Sequence, residues 1–514
     1  MSEQKPEPAT ESPKPGRVYL VGGGPGDPGL ITLRGVECLR RADVVVYDYL
    51  VNPRVLRHAR RDAELVCLGR HGHGRVMNQD EINALLVGRS LAGKTVVRLK
   101  GGDPAIFGHL GDEAAALAAA GVPFEVVPGV TAASAAASYA GVPLTHRDSA
   151  SAVAFVAGHQ RCDAEANGLD AAALAAFPGT LVIYMGVTTA ATWTRELIAA
   201  GKKPETPVAI VRRASLPDQE RWFCRLDEVA ARLSTGHIRP PVLVIVGEVA
   251  RADATLEWIT HRPLFGKTVL VTRAVDQADE LYAALAELGA NVLVQPAIEI
   301  LPVEGFGELD RAIARLGEFE WLVFSSANGV RFFFERLLAS GDLRRLFLVK
   351  LAAIGPGTAE ALAEYHLRPD LVPGEYRAEA LAEELAPHAA GTRVLLVRAS
   401  RGREVLAEQL SAAGATVEQV VAYRSVDVAQ ADAEIVDAID ADRVDWITVT
   451  SSAIARSLVK MLGERLRKSK LATISPLTTE ALREQGHEAA AEAGEYTMAG
   501  VVAAIVDAES QRAQ

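Results

Sequence analysis

Two glycine-rich segments in the first half of the chain have the make-up of ligand-binding turns. Gly22-Gly23-Gly24-Pro25-Gly26-Asp27-Pro28 follows the apolar run Val18-Tyr19-Leu20-Val21. A dinucleotide fingerprint needs glycine where Asp27 stands; that carboxylate would repel a pyrophosphate, and Pro25 removes a backbone donor. The turn suits a close approach of backbone and one carboxylate to a neutral or cationic ligand. Arg98-Leu99-Lys100-Gly101-Gly102-Asp103-Pro104 also ends an apolar run. Its glycines admit a ligand to the backbone, and Asp103 could face a positive group. Gly88 to Thr95 matches the phosphate pattern G-x-x-x-x-G-K-[ST] letter for letter. A helical pattern precedes it and a strand pattern follows, the reverse of a P-loop, so phosphate would meet the negative end of a helix. ATP binding is excluded on that ground. Val127-Pro128-Gly129-Val130-Thr131-Ala132-Ala133 is another strand-to-helix turn with Thr131 as candidate cap, and Tyr184-Met185-Gly186 ends a further strand. Several strand ends converging on one crevice is where open α/β sheets bind ligands.

The second half offers a different chemistry. Ser325-Ser326-Ala327-Asn328 and Thr450-Ser451-Ser452 each end a strand and begin a helix, and Ile354-Gly355-Pro356-Gly357-Thr358 repeats the device. Serine and asparagine there are ordinary N-caps, while a helix N-terminus also binds carboxylates; both readings stand. Arg273 and Arg398 end equivalent strands, and arginine is suited to bidentate carboxylate recognition.

The elements that must position these residues alternate. Apolar strands are expected at 18–21, 44–47, 95–99, 124–127, 153–157, 181–185, 208–211, 242–246 and 267–271, with Ala-rich helical stretches between them. That is the signature of an α/β architecture with largely parallel strands. The chain has 514 residues, 49% hydrophobic, 23% charged and 5% aromatic, so the cores are built mainly from Ala, Val, Leu and Ile. A formal net charge of −11 gives no support to nucleic-acid binding but leaves room for a local basic cleft. Cys38, Cys67, Cys162 and Cys224 form no C-x-x-C pair; reduced thiols in a cytosolic protein are expected, and no metal site. No apolar run reaches the ~18 residues that span a bilayer. Residues 1–16 read as a disordered tail, not a signal peptide. Residues 251–264 read as a linker.

Beyond the linker the sequence repeats. Val269 to Ala274 matches Val394 to Ala399, and Trp321, Ser326 and Arg331 match Trp446, Ser451 and Arg456, all offset by 125. Pro356, Thr358 and Tyr376 match Pro476, Thr478 and Tyr496, offset by 120. A duplicated α/β unit of about 120 residues, spanning about 267–390 and 392–510, is far longer than solenoid repeats and predicts two similar lobes.

Residues 17–250 resemble uroporphyrinogen-III C-methyltransferase of the tetrapyrrole methylase superfamily. The resemblance rests on VGGGPGDP at 21–28, ADVVVYD at 42–48, VVRLKGGDP at 96–104, VPGVTAA at 127–133, GVPLTHR at 141–147, GH at 158–159 and YMGV at 184–187. It implies a bilobed methylase fold with S-adenosylmethionine as methyl donor and uroporphyrinogen III as acceptor. Two methylations would give precorrin-2 for sirohaem or cobalamin synthesis. It implies Asp48 as base, Arg70, where the family usually has Lys, as a carboxylate binder, and Pro25, Gly101, Gly102, Asp103, Ile106, Thr131, Ala132, Met185 and Ala214 as cofactor contacts. The family's G-R-G after Phe107 is here Gly108-His109-Leu110. Methylase relatives are dimers, so a homodimer through this half is implied.

Residues 265–510 resemble uroporphyrinogen-III synthase through VLVTRA at 269–274, SSANGV at 325–330, AAIGPGTA at 352–359 and VVAYRSV at 420–426. The implied substrate is hydroxymethylbilane, a linear tetrapyrrole with eight carboxylates, closed with inversion of one pyrrole and loss of water. The resemblance makes Tyr423 the acid that assists the leaving hydroxyl. The implied substrate contacts are Arg273, Ser325, Ser326, Asn328, Thr358, Tyr376, Arg398, Ser451, Ser452 and Thr478. The chain is thus expected to be a cytoplasmic two-step enzyme, without metal, nucleic-acid or membrane partners. The alternatives are a methylase with a non-catalytic tetrapyrrole-binding module, or a methylase acting on a later corrinoid.

Overall fold

The computed structural model describes residues 14–69, 76–158, 170–251, 256–402 and 404–511. The chain divides between Gly266 and Lys267 into two compact units.

In the first unit, β1 (Val18–Gly22), β2 (Val44–Tyr47), β3 (Glu64–Cys67), β4 (Val96–Lys100) and β5 (Phe124–Val127) form a sheet in the order β3-β2-β4-β1-β5. All its pairings are parallel. β1 and β4 are buried along their whole length; β1 is an apolar run, as a strand covered on both faces should be, whereas β4 buries two charged residues. Arg98 and Lys100 share one face of β4, two residues apart. A second sheet joins β6 (Val153–Ala157), β7 (Thr180–Tyr184), β8 (Pro207–Arg212), β9 (Glu220–Arg225) and β10 (Val242–Val246) in the order β6-β7-β10-β8-β9.

The expected parallel arrangement holds in the first sheet and not in the second. There only β6–β7 is parallel; β7–β10, β10–β8 and β8–β9 are antiparallel. β3 and β9 were also not expected. Both are edge strands with exposed, polar residues, which blur an apolar signal. The phosphate-pattern lure sits as its context predicted: the helix Gln79–Leu91 ends inside it and β4 follows.

Residues 256–264 are not a free linker. Trp258 donates to the Ser138 carbonyl at 2.7 Å and packs on Tyr139, Glu257 pairs with Arg221, and Leu264 is fully buried.

In the second unit, β11 (Thr268–Val271), β12 (Asn291–Val294), β13 (Ile298–Pro302), β14 (Trp321–Phe324), β15 (Lys350–Ala353), β16 (Arg393–Ala399), β17 (Thr416–Asp427), β18 (Trp446–Val449), β19 (Lys470–Thr473) and β20 (Ala491–Glu492) build two sheets. One runs β12-β11-β18-β19-β20 and the other β13-β17-β16-β14-β15. The two lobes are therefore similar, but neither is one repeat. Strands β11 and β12 come from the first repeat and share a sheet with β18 and β19 of the second, joined through the β11–β18 pair; β14 and β15 likewise join β16 and β17 through the β14–β16 pair. The lobes exchange halves, and the chain passes between them along the antiparallel pair β13–β17. Equivalent positions keep equivalent contacts. Trp321 and Trp446, both buried, lie under Lys350 and Lys470, and each donates its indole N–H to a residue of a following helix.

Candidate active sites

At the carboxyl ends of β1, β4 and β5 the chain closes tightly on itself. Gly23 N donates to the Lys100 carbonyl at 2.7 Å, and Gly24 and Gly102 exchange backbone hydrogen bonds. A Cβ on Gly129 would lie 2.3 Å from the Gly102 oxygen and 2.8 Å from the Gly22 Cα, so these turns require glycine at that contact. Gly102, at φ +69°, leaves ordinary van der Waals space toward Thr131 and the Ala132 N–H. The Pro25–Gly26 turn packs on Ser215 and Leu216, with Asp27 N donating to Ser215 Oγ at 3.1 Å.

The predicted cofactor residues Pro25, Gly101, Gly102, Asp103, Ile106, Thr131, Ala132, Met185 and Ala214 all lie on these turns or on the strand ends beside them. Around them five non-glycine residues have left-handed backbones: Phe107, His109, Met185, Arg213 and Ser215. Such strain gathers where a site over-determines the backbone.

Two carboxylates expected to face the ligand are engaged by the protein. Asp103 accepts from Ala105 N at 2.7 Å and Gly129 N at 2.9 Å, one oxygen each. Asp27 accepts from Gly29 N and from the Tyr139 hydroxyl. Both carboxylates therefore shape turns. Thr131 is the N-cap residue of the helix Ala132–Ala140 but does not cap it with its side chain. Tyr184 does that work: its hydroxyl accepts from Ala133 N at 3.0 Å and shares a 2.7 Å bond with Thr131 Oγ1. Its ring packs on Phe107. Tyr184 was not among the predicted site residues; a tyrosine ending a strand before Met-Gly was the available signal. The cradle is thus lined largely by backbone, carries the carboxylates of Asp27 and Asp103 without a cationic partner among the described residues, and fits a cofactor that bears a positive charge.

Beside the cradle, Asp48 follows β2 and accepts from Arg98 Nη2 at 2.7 Å. Its second oxygen has no hydrogen bond among the described residues. Arg98 is buried and donates from Nε to Glu113 Oε1 at 3.1 Å; Lys100 Nζ reaches the same oxygen at 2.6 Å. Burial and the neighbouring Arg98 lower the Lys100 ammonium, with Glu113 and Asp48 opposing. Arg70 lies outside the described residues.

In the second unit, Tyr423 on β17 is buried, stacks on Phe332 and bonds Ser326 Oγ at 2.9 Å. Burial raises the phenol, against hydrogen bonds with Ser326 and Asn328, so it stays protonated at neutral pH. Ser326 caps the helix Ala327–Ser340 by accepting from Gly329 N at 3.0 Å. Asn328 accepts from Gln277 Nε2 at 2.7 Å, and Gln277 accepts from Arg273 Nη2 at 3.2 Å. Arg273 also reaches the Met498 thioether, and its Nε is buried without a partner among the described residues. Among the described residues this largely buried guanidinium has only neutral hydrogen-bond partners, with Glu280 within electrostatic reach, so it keeps donor capacity to spare. Arg273, Ser326, Asn328 and Tyr423 are thus one connected cluster, joined by Gln277, which sequence reasoning missed.

None of the other predicted contacts hydrogen-bonds into it among the described residues. Arg398 ends the equivalent strand but pairs with Glu404 and donates to Gln419 at 2.6 Å, so the two arginines are not matched receptors. Ser451 caps its helix and Ser452 bonds the Leu477 carbonyl. Ser325 donates to the Val397 carbonyl, Thr358 is buried, Thr478 bonds Ser475 and Tyr376 lies half-exposed over Gly355. Among the described residues no group of side chains could hold a metal ion.

Comparison with known proteins matches each unit. The model of tetrapyrrole (corrin/porphyrin) methylases matches residues 17–230, and that of uroporphyrinogen-III synthase HemD matches 279–503. The porphyrin biosynthesis protein HemD of Ruminiclostridium josui is 34% identical over 454 residues, 87% of this chain and 89% of that protein. The uroporphyrinogen-III C-methyltransferase of Bacillus subtilis (strain 168) is 38% identical over 343 residues, 66% of this chain and 70% of its own. The siroheme synthase of Zymomonas mobilis is 48% identical over 252 residues, 49% of this chain; the chain spans only 53% of its length. The chain therefore belongs to the family of bifunctional porphyrin-biosynthesis proteins that join a tetrapyrrole methylase to a uroporphyrinogen-III synthase in one polypeptide.

Proposed function

We propose that the second unit closes hydroxymethylbilane to uroporphyrinogen III with inversion of one pyrrole, and that the first methylates this product twice to precorrin-2, for sirohaem or cobalamin synthesis. The observation that carries the reading is the joining of both families in one chain that aligns with a relative over 89% of its length. S-adenosylmethionine, when bound, supplies a methyl group on a sulfonium. The turns at Gly22–Gly26, Gly101–Asp103 and Thr131–Ala132, with Ile106, Met185 and Ala214, would hold it. Asp48 would take the proton that the tetrapyrrole ring carbon loses once it is methylated. Arg70 would bind a substrate carboxylate. In the second unit Arg273 grips a carboxylate while the Tyr423 phenol gives its proton to the leaving hydroxyl. The reading makes the protein a cytoplasmic homodimer joined through its first unit.

Supplied with hydroxymethylbilane alone, the protein should form the type-III isomer, and adding S-adenosylmethionine should give dimethylated product. Only type-I isomer at the spontaneous rate would refute the synthase reading; this is read by isomer-resolving chromatography. Tyr423→Phe keeps the stacking on Phe332 and loses one hydroxyl. It should cost about 1 kcal/mol of stability, as one net hydrogen bond does. Cyclisation should slow by about 10²-fold, the lower range for a proton donor. A rate within twofold of the parent would show that Tyr423 only packs the hinge strand.

A further inference from the structure

Four charged groups meet behind the methylase cradle: Asp48, Arg98, Lys100 and Glu113. Arg98 and Glu113 are 3% and 0% exposed at their side chains and Lys100 4%, whereas Asp48 is 30% exposed. Replacing buried ion pairs with apolar residues of like volume is often neutral or stabilising, so stability alone does not account for these charges. The bonding is uneven. Glu113 Oε1 takes hydrogen bonds from both Arg98 Nε and Lys100 Nζ, while its Oε2 is buried with no partner among the described residues. Asp48 takes one bond, from Arg98 Nη2, although Lys100 also lies within its electrostatic reach. Were Glu113 uncharged, the nearest remaining carboxylate for Lys100 would be Asp48, whose second oxygen is the one left for a substrate proton.

We propose that Glu113 is a positioning residue of the methylase: it holds Lys100 away from Asp48 and fixes Arg98 so that Asp48 is gripped at one oxygen and open at the other. This rests on the reading of Asp48 as the base. The helix Leu110–Ala119 supplies Glu113 and β4 supplies both cations, so one helix–strand contact sets the carboxylate that follows β2. No proton is transferred through Glu113; it acts on geometry and charge alone.

The test uses the full-length protein with S-adenosylmethionine and enzymatically made uroporphyrinogen III. Glu113→Gln should lower kcat for methyl transfer at least about tenfold, a fraction of what loss of a base costs, with KM for S-adenosylmethionine and affinity for S-adenosylhomocysteine within about twofold of the parent. Adding Lys100→Met removes the competitor and restores charge balance, so the double variant should recover to within about threefold of the parent, a coupling that independent core defects do not show. If the double variant is as slow as Glu113→Gln or slower, or if Glu113→Gln keeps the parent kcat, the proposal falls. Should Glu113→Gln alone fail to fold, the double variant carries the test against the parent by the same threefold criterion. Asp48→Asn, run in parallel, separates the two readings. Full activity in that variant removes Asp48 as base; loss there with an unaffected Glu113→Gln removes only the role given to Glu113.

Discussion

Asp48→Asn should slow methyl transfer by about 10²- to 10⁴-fold, the range for loss of a positioned general base, and leave cyclisation of hydroxymethylbilane at the parent rate. The amide keeps the size of the side chain, and its oxygen can still accept from Arg98 Nη2, now bonded at 2.7 Å. What is lost is the capacity to take a proton. Affinity for S-adenosylhomocysteine should change little, because the cradle is built from other turns. The measurement is the rate of each half-reaction on the same preparation. Equal loss of both activities would show that the substitution disrupts the protein rather than its chemistry.

The second large effect is expected from Gly129→Ala. The added methyl would sit 2.3 Å from the Gly102 carbonyl oxygen and 2.8 Å from the Gly22 Cα, so it presses backbone against backbone at the point where β1, β4 and β5 end. No side chain there can rotate away. Overpacking of this kind costs about 1–3 kcal/mol in ordinary cores, and a rigid backbone contact belongs at or above the upper end. The turns would shift by much of an ångström, and displacement on that scale costs about 10²-fold in activity. Affinity for S-adenosylhomocysteine, measured by titration calorimetry, should fall in parallel, while the synthase rate stays unchanged. Retained affinity would mean that the three turns do not form the cofactor cradle. The same substitution at Gly88, whose added Cβ meets nothing within 4 Å, serves as the matched control and should be nearly silent.

The sequence made some of this plain for physical reasons. β1 and β10 read as strands because burial on both faces demands apolar runs. The glycine turns were legible because only glycine tolerates contacts such as that of Gly129 with Gly102. β3 and β9 were missed because an exposed edge relaxes that demand. Asp27 and Asp103 were read as facing a ligand because a sequence shows a carboxylate but not the backbone N–H groups that bind it. Gln277 and Glu113 were invisible for the converse reason. Nothing local marks a glutamine ending a short 3-10 turn or a glutamate on an Ala-rich helix; their importance comes from residues 51 and 15 positions away. The repeat revealed two lobes, yet identity of sequence carries no record of which copy a strand pairs with.

That exchange of halves bears on how the second unit is made. The lobe from β13 through β17 is one continuous stretch, whereas the other joins β11 to β18, with Thr268 N bonded to Asp445 177 positions later. During synthesis the continuous lobe has all its strands while β11 and β12 still present an open edge. Chains fold domain by domain from the N-terminus, and exposed strand edges are where they aggregate. The β11 edge therefore stays without its β18 partner until the chain from Trp446 onward, about the last seventh of the polypeptide, has emerged.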